Sequence, residues 1–225
     1  MAIIQVENLC RDFQSGGNVL RVLKNLNFNI EIGTLTVLKG RSGSGKTTLL
    51  NLLGMLDMPT SGKIFFENRE ITSISENERD DIRRTKIGFV FQSIALISLM
   101  SAYENVEFVL RISLYNLQQR KCRTEECLNL VGLAKRMHHR PGELSGGEQQ
   151  RIAIARAIAH KPHIVFADEP TAELDTHTSL LTVRLFKSLT TDEGTTIVMS
   201  THDPGMIEIA DKVLTIEDGE IVDER

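Results

Sequence analysis

Apolar positions in this chain recur with a period of two, then near 3.6, then two again, and the changes mark out its elements. Residues 2–8 and 22–30 alternate or run apolar and are read as strands, with Ser15-Gly16-Gly17-Asn18 as the turn between them. Thr34-Leu35-Thr36-Val37-Leu38 is short, β-branched and apolar, as a buried strand is, and Thr48 to Leu56 is a mostly apolar helix. Residues 64–67 and 69–71 bracket a turn at Asn68. Ser75 with Glu78 makes a capping box that opens a charged helix to about Arg84, and Ile87-Gly88-Phe89-Val90-Phe91 is a strand ending at Gln92. From Tyr103 to about Lys135, Val106, Val109, Leu110, Cys127, Leu128, Leu130 and Val131 recur at helical spacing, and Gly132 is a stop signal. Beyond them the pattern predicts a helix at 146–160, a strand at 164–167, a helix at 176–190 and a strand at 196–200. A short helix starting at Asp203-Pro204 and a hairpin turning at Asp218-Gly219 follow. Strands alternating with helices imply a mainly parallel sheet, which the strands at the start make mixed.

Gly40-Arg41-Ser42-Gly43-Ser44-Gly45-Lys46-Thr47 lies between a predicted strand and a predicted helix. It fits G-x-x-x-x-G-K-[ST], and the strand–loop–helix setting is the one that gives this motif meaning. Gly40, Gly43 and Gly45 have no Cβ, so the backbone can close on an anion with its N–H groups turned inward. The helix that follows adds its positive end. Lys46 supplies a point charge for the β- and γ-phosphates, and Thr47 offers a hydroxyl to Mg²⁺.

Two further stretches carry chemistry. Asp168 and Glu169 end a strongly apolar strand, and the carboxyl ends of parallel strands line the ligand crevice. Asp168 is placed to hold Mg²⁺, and Glu169 to orient or deprotonate an attacking water. In Leu144-Ser145-Gly146-Gly147-Glu148, Ser145 and Glu148 form a capping box, so Ser145 should cap the helix carrying Arg151. Two glycines in its first turn weaken that helix, which implies close backbone approach, and a helix N-terminus favours an anion. The chain thus offers two helix-terminus anion sites for one phosphate loop. Pairing two copies head to tail uses both. His202 sits at another strand-to-helix crevice position, where a structural histidine is the plainer reading.

The 225 residues carry 30 Asp+Glu against 26 Lys+Arg, and no basic tract stands out, which argues against a nucleic-acid partner. Cys10, Cys122 and Cys127 form no CxxC, so neither a zinc site nor a disulfide framework is indicated, and a reducing, intracellular setting is expected. The N-terminus lacks a basic region followed by a long apolar one, and no run of about 18 apolar residues occurs.

The order of phosphate loop, Gln92, Leu144-Ser145-Gly146-Gly147-Glu148, Asp168-Glu169, Asp175 and His202 resembles the ATP-binding-cassette (ABC) ATPases over nearly the whole chain. The resemblance implies an α/β P-loop NTPase fold with a RecA-like, mainly parallel sheet, an N-terminal antiparallel β part and an inserted helical subdomain. One domain spans 1–225, with 1–92 and 160–225 as catalytic core and 93–159 as the helical subdomain. It implies that Gly40, Arg41, Ser42, Gly43, Ser44, Gly45, Lys46, Thr47 and Thr48 hold the phosphates of ATP, with Lys46 also acting in catalysis. Thr47, Gln92 and Asp168 attend Mg²⁺. Glu169 looks like the general base and His202 like the switch histidine on the γ-phosphate. Ser145, Gly146, Gly147 and Glu148 reach the nucleotide of a second copy, and Asp175 matches the D-loop aspartate. Phe13 falls where the family stacks an aromatic, usually tyrosine, on adenine.

Arg140-Pro141-Gly142-Glu143 and Ala102-Tyr103-Glu104-Asn105-Val106 look like the lipoprotein-release and macrolide- or peptide-efflux ATPases. These serve permeases with four transmembrane helices and a large extracytoplasmic domain. The chain departs from that group with Ala172-Glu173 where Gly-Asn is usual, with Arg41, and without a proline between Gln92 and Ala102. The expected protein is an ATP-hydrolysing subunit that dimerises on ATP beneath such a permease, on the inner face of the cell membrane. The alternative is the same ATPase under a permease-like protein that activates a cell-wall enzyme or senses peptides. A DNA-maintenance or ribosome-acting ATPase would need a long insertion or a second cassette, and a P-loop kinase would leave Ser145-Gly146-Gly147 and His202 unexplained. Ser93 to Ala102 is too short and interrupted to cross a bilayer, and reads either as a core strand or as a permease-docking loop with Leu96 and Leu99 outward.

Overall fold

Strand β1 (Ala2–Ser15) and β2 (Asn18–Glu31) pair antiparallel around a turn at Gly16-Gly17, and both run well past their apolar alternation. On β2 only Leu23, Leu26, Phe28 and Ile30 face inward, while Asn18–Arg21 are exposed. The hairpin tip is therefore held by ladder hydrogen bonds rather than burial, which is why periodicity alone does not reveal it. The structure, a computed structural model, describes every residue except Glu173, and of Ser15 and His177 only the backbone.

Strands β4 (Ser61–Phe66) and β5 (Arg69–Glu70) complete a four-stranded sheet in the order β2-β1-β4-β5, antiparallel throughout. The second sheet holds β3 (Leu35–Lys39), β6 (Ile87–Val90), β7 (Ile164–Asp168), β8 (Thr196–Ser200), β9 (Lys212–Glu217) and β10 (Glu220–Glu224). Its order is β10-β9-β3-β8-β7-β6, parallel except for the C-terminal hairpin. The early strands thus do not join the parallel strands to make one mixed sheet. The reason lies in their patterning: β1 and β2 are apolar on one face, whereas β3, β7 and β8 are apolar on both and must be covered twice.

Alternation along the central strands divides the core in two. Ile164, Phe166 and Val198 face the antiparallel sheet and α1 (Lys46–Leu53). Val165, Ala167, Ile197 and Met199 face the other way, into a cluster with α3 (Ala102–Ile112), α4 (Leu117–Leu130), α5 (Gly146–Ile158) and α6 (Thr176–Thr191). Phe166 is 1% exposed, and truncating such a ring typically costs about 3–5 kcal/mol. Of the remaining helices, α7 (Pro204–Ile209) adds Met206 to the second cluster, and α2 (Glu76–Lys86) packs Ile82 against the first. The boxes expected at Ser75/Glu78 and Ser145/Glu148 both form, and Ser101/Glu104 makes a third at the start of α3. The Ser75 hydroxyl and N–H drive the Glu78 carboxyl down to about 2.

The segment after Gln92 is neither a core strand nor wholly outward. It runs in turns, with Ile94 and Ala95 left-handed (φ 32° and 50°). Asn105, fully buried, accepts from the Ile97 N–H and donates to the carbonyls of Ile97 and Met100, which gives the turn a scaffold. Leu99 is 81% exposed, but Leu96 packs on the core shared by α3 and α5, so the expectation of two outward leucines is corrected to one. Among the described residues no helix is long and apolar enough to cross a membrane.

Candidate functional site

The loop between β3 and α1 is glycine-dependent for packing reasons at two positions. A Cβ on Gly40 would lie 2.2 Å from the Ile216 carbonyl oxygen, and one on Gly45 2.7 Å from Leu23 Cδ2, at a left-handed φ of 104°. The neighbouring strands β9 and β2 thus press the loop into place. Gly43, also left-handed, faces open space. Lys46 is 5% exposed and donates to the carbonyls of Gly40 (2.8 Å) and Arg41 (2.9 Å), so its ammonium spans the loop. Ser44 Oγ is buried with no hydrogen-bond partner among the described residues, while Arg41, Ser42 and Thr47 are exposed and Thr48 is half-buried.

Parallel pairing brings the next residues to the same end of the sheet. Thr47 Oγ1 donates to Asp168 Oδ2 at 2.8 Å. Ser200 Oγ donates to the other oxygen, Oδ1, at 2.5 Å and accepts the Glu169 N–H at 3.0 Å. Glu169 Oε1 lies 3.5 Å from His202 Nε2. Glu169 itself is left-handed (φ 44°), a conformation that a non-glycine residue keeps only where its surroundings over-determine it. A cleft of about 350 Å³ opens beside this chain of contacts, lined by Glu169, Thr171, Leu174, Thr176, His202 and Pro204. Ser200 is the residue that sequence reasoning missed. It reads as the last apolar-run position of a strand, and only the register, which sets it beside Asp168, reveals its hydroxyl as a bridge.

One hydroxyl and one carboxylate form an all-oxygen donor pair of the kind Mg²⁺ takes when phosphate oxygens and water complete its shell. Among the described residues no group of three or more His, Cys, Asp or Glu is arranged to cage a metal. The Thr47–Asp168 pair fits the first arrangement.

The remaining candidates spread outward from this centre. Gln92 is exposed in the turn after β6. Ser145 caps α5, accepting from the Glu148 N–H at 3.3 Å, and the Ser145 N–H and hydroxyl hold the Glu148 carboxyl below its usual range. Among the described residues no hydrogen bond joins this turn to residues 40–48. Its two glycines differ: a Cβ on Gly147 would meet Thr178 Cγ2 at 2.8 Å, whereas one on Gly146 would meet nothing within 4 Å. Packing inside the chain therefore explains Gly147 and leaves Gly146 open outward. Asp175 caps α6, accepting from the Thr178 N–H (3.1 Å) and hydroxyl (2.6 Å), so Thr178 lies against both Gly147 and Asp175. Glu173 lies outside the described residues. Phe13, near the hairpin tip, is 37% exposed, with the Arg11 guanidinium 4.4 Å from its ring centroid.

Residues 23–172, two thirds of the chain, match the ABC transporter family. The lipoprotein-releasing system ATP-binding protein LolD of Syntrophotalea carbinolica is 42% identical over 220 residues, covering 98% of this chain and 97% of that protein. The macrolide export ATP-binding/permease protein MacB of Bartonella henselae is 41% identical over 221 residues, 98% of this chain but 33% of MacB. Among solved structures, a dimeric post-hydrolysis state of the ATP-binding cassette MJ0796, bound to ADP and Pi, superposes with a TM-score of 0.93 at 39% identity. It covers 99% of this chain and 97% of that one, and MJ0796 comes from Methanocaldococcus jannaschii. The phosphate loop, the carboxylate pair and the capped turn at Ser145 thus occur together in a chain that belongs to the ABC transporter family, as an ATPase domain similar to LolD and to the ATP-binding part of MacB.

Proposed function

We propose that this chain hydrolyses ATP as a head-to-tail dimer and passes the resulting motion to a membrane permease of the lipoprotein-release or macrolide-efflux type. The observation that carries the hydrolytic reading is the unbroken run of contacts from Thr47 through Asp168 and Ser200 to Glu169 and His202. In this reading Lys46 and the N–H groups of residues 40–48 bind the phosphates, and Phe13 stacks on the base. Thr47 and Asp168, with Gln92, would hold Mg²⁺, which would supply charge neutralisation for the phosphoryl group being transferred. Asp168 and Glu169 are adjacent, so a carboxylate committed to the metal is followed by one free to accept the proton of the attacking water. His202, within 3.5 Å of Glu169, orients that carboxylate and faces the γ-phosphate. Catalysis of this kind is chiefly positioning and charge stabilisation, which is the role of the rigid Ser200 bridge.

The dimer reading rests on the open space beside Gly146 at the start of α5, and on the dimeric MJ0796 cassette. Ser145, Gly146, Gly147 and Glu148 would close over the nucleotide held by the other copy, with Asp175 alongside. The permease reading rests on an apolar cavity of about 330 Å³ between α2, β6 and α3, lined by Phe89, Phe91, Ile97, Phe108 and Ile112. It adjoins the turn after Gln92, which would carry a nucleotide-dependent movement into it.

Glu169→Gln tests the hydrolytic core. It removes only the proton acceptor, so phosphate release should fall by about 10²–10⁴-fold while ATP binding persists. The variant should elute as an ATP-dependent dimer on size exclusion. Hydrolysis within about fivefold of wild type would remove Glu169 from the role, and a monomer at saturating ATP would remove the composite site.

A further inference from the structure

We propose that Arg11 and Asp57 form a brace that holds Phe13 in place to receive the purine ring. Arg11 is therefore a positioning residue for nucleotide binding. The inference rests on the reading of Phe13 as the base-stacking residue.

Arg11 and Phe13 are both on β1, two residues apart, in a stretch where the pairing with β2 is irregular: register shifts fall between Leu9 and Arg11 and between Arg11 and Asp12. Regular strand geometry does not by itself fix side chains there. The fixing comes from elsewhere. The Arg11 guanidinium lies over the Phe13 ring, 4.4 Å from its centroid, and its Nη2 donates to Asp57 Oδ1 at 2.9 Å. Asp57 Oδ1 also accepts the Met58 N–H at 2.7 Å, so the carboxylate is held by its own loop. That loop begins where α1 ends: Leu56 and Asp57 both donate N–H groups to the Asn51 carbonyl. One residue on from Arg11, the Asp12 N–H donates to Thr60 Oγ1 at 2.9 Å, tying β1 to the same loop. The line of contact therefore runs from the phosphate-binding helix, through its C-terminal loop, to Asp57, Arg11 and the ring.

The arrangement suits a stacking platform physically. Arg11 is 21% and Asp57 31% exposed, so the pair is partly screened but not solvent-separated. Phe13 is 37% exposed and has no hydroxyl to anchor it, unlike the tyrosine usual in the family. A ring with a cation against one face keeps the other for a base, and a platform ordered beforehand does not lose rotamer freedom when the ligand arrives.

The test uses the full chain and two probes, Mg-ATP and inorganic tripolyphosphate with Mg²⁺, which shares the phosphate loop but has no base. Arg11→Gln should weaken Mg-ATP binding about two- to fivefold, the range of an exposed cation–π contact, and leave tripolyphosphate affinity within error. Arg11→Lys should recover part of the loss, and Asp57→Asn should show a smaller loss of the same kind. In a Phe13→Ala background Arg11→Gln should have no further effect, since the two residues act as a unit. Equal weakening of both probes would mean general damage to the loop and overturns the brace. Unchanged or tighter ATP binding in Arg11→Gln also overturns it, the second because Arg11 would then occupy the face the base needs. If Phe13→Ala alone leaves ATP binding intact, the stacking reading itself fails. If Phe13→Ala weakens ATP and Arg11→Gln does not, only the brace fails.

Discussion

Ser200→Ala removes one oxygen atom from a fully buried position and should damage both stability and turnover. In the intact chain the Ser200 hydroxyl donates to Asp168 Oδ1 at 2.5 Å and accepts the Glu169 N–H at 3.0 Å. A hydrogen bond to a charged group contributes about 1.5–3 kcal/mol, and that contact with Asp168 is lost outright. The Glu169 N–H fares better, because it also donates to the Ser200 carbonyl at 3.1 Å and keeps that acceptor. For a chain of this size a loss of that order lowers the thermal midpoint by about 3–12 °C. The effect on turnover follows from what the hydroxyl orients. Asp168 keeps Thr47 on its other oxygen but is free to rotate, and the left-handed Glu169 loses one of two restraints on its backbone. If the same free energy appears in the transition state, kcat falls about ten- to a hundredfold. Steady-state phosphate release and thermal melts with and without Mg-ATP measure the two effects separately. Ser200→Cys, close in shape but a poor donor, should resemble alanine in kcat. A full thermal shift with kcat within twofold of wild type would refute the bridge as a catalytic device and leave Ser200 as strand packing.

Two further outcomes are open to measurement. His160 is 9% exposed with Nε2 donating to the Ile87 carbonyl at 3.0 Å, and burial pushes its pKa from 6.5 down to about 4. The unfolded chain then takes up the proton first, so His160 contributes stability that is whole above pH 6.5 and is lost as pH falls towards 4, about 3 kcal/mol in all. Thermal midpoints of wild type and His160→Asn should therefore converge as pH is lowered from 7.5 to 5. Parallel curves would show that the imidazole is not held neutral. At the proposed permease face, Leu99→Glu with Ile112→Glu replaces side chains 81% and 44% exposed, and should abolish co-purification with a permease while the thermal midpoint stays within about 2 °C. Retained co-purification would place the docking surface elsewhere.

Much of this molecule was legible in its sequence because the signals are local. The phosphate loop is eight consecutive residues with a strand before and a helix after, and the caps at Ser75 and Ser145 are three-residue reciprocal contacts that depend on nothing distant. The apolar runs at β7 and β8 announced buried parallel strands, since only strands covered on both faces lack alternation. The family resemblance needed no coordinates either. What the sequence could not decide was everything set by pairing between distant segments. The antiparallel strands separated into their own sheet because a half-buried ribbon and a doubly covered one pack back to back, a matter of two faces meeting. Ser200 became a bridge only through the register that sets it beside Asp168, 32 residues away. Gly147 proved to be spaced by Thr178, and Leu96 turned inward onto a core contributed by α3 and α5, whereas Leu99 did not. The Arg11–Asp57 contact spans 46 residues and joins an irregularly paired stretch of β1 to the loop after α1, which no periodic pattern announces. Local chemistry is written in neighbouring residues. Register and packing depend on how one surface meets another, and only the assembled tertiary structure decides that.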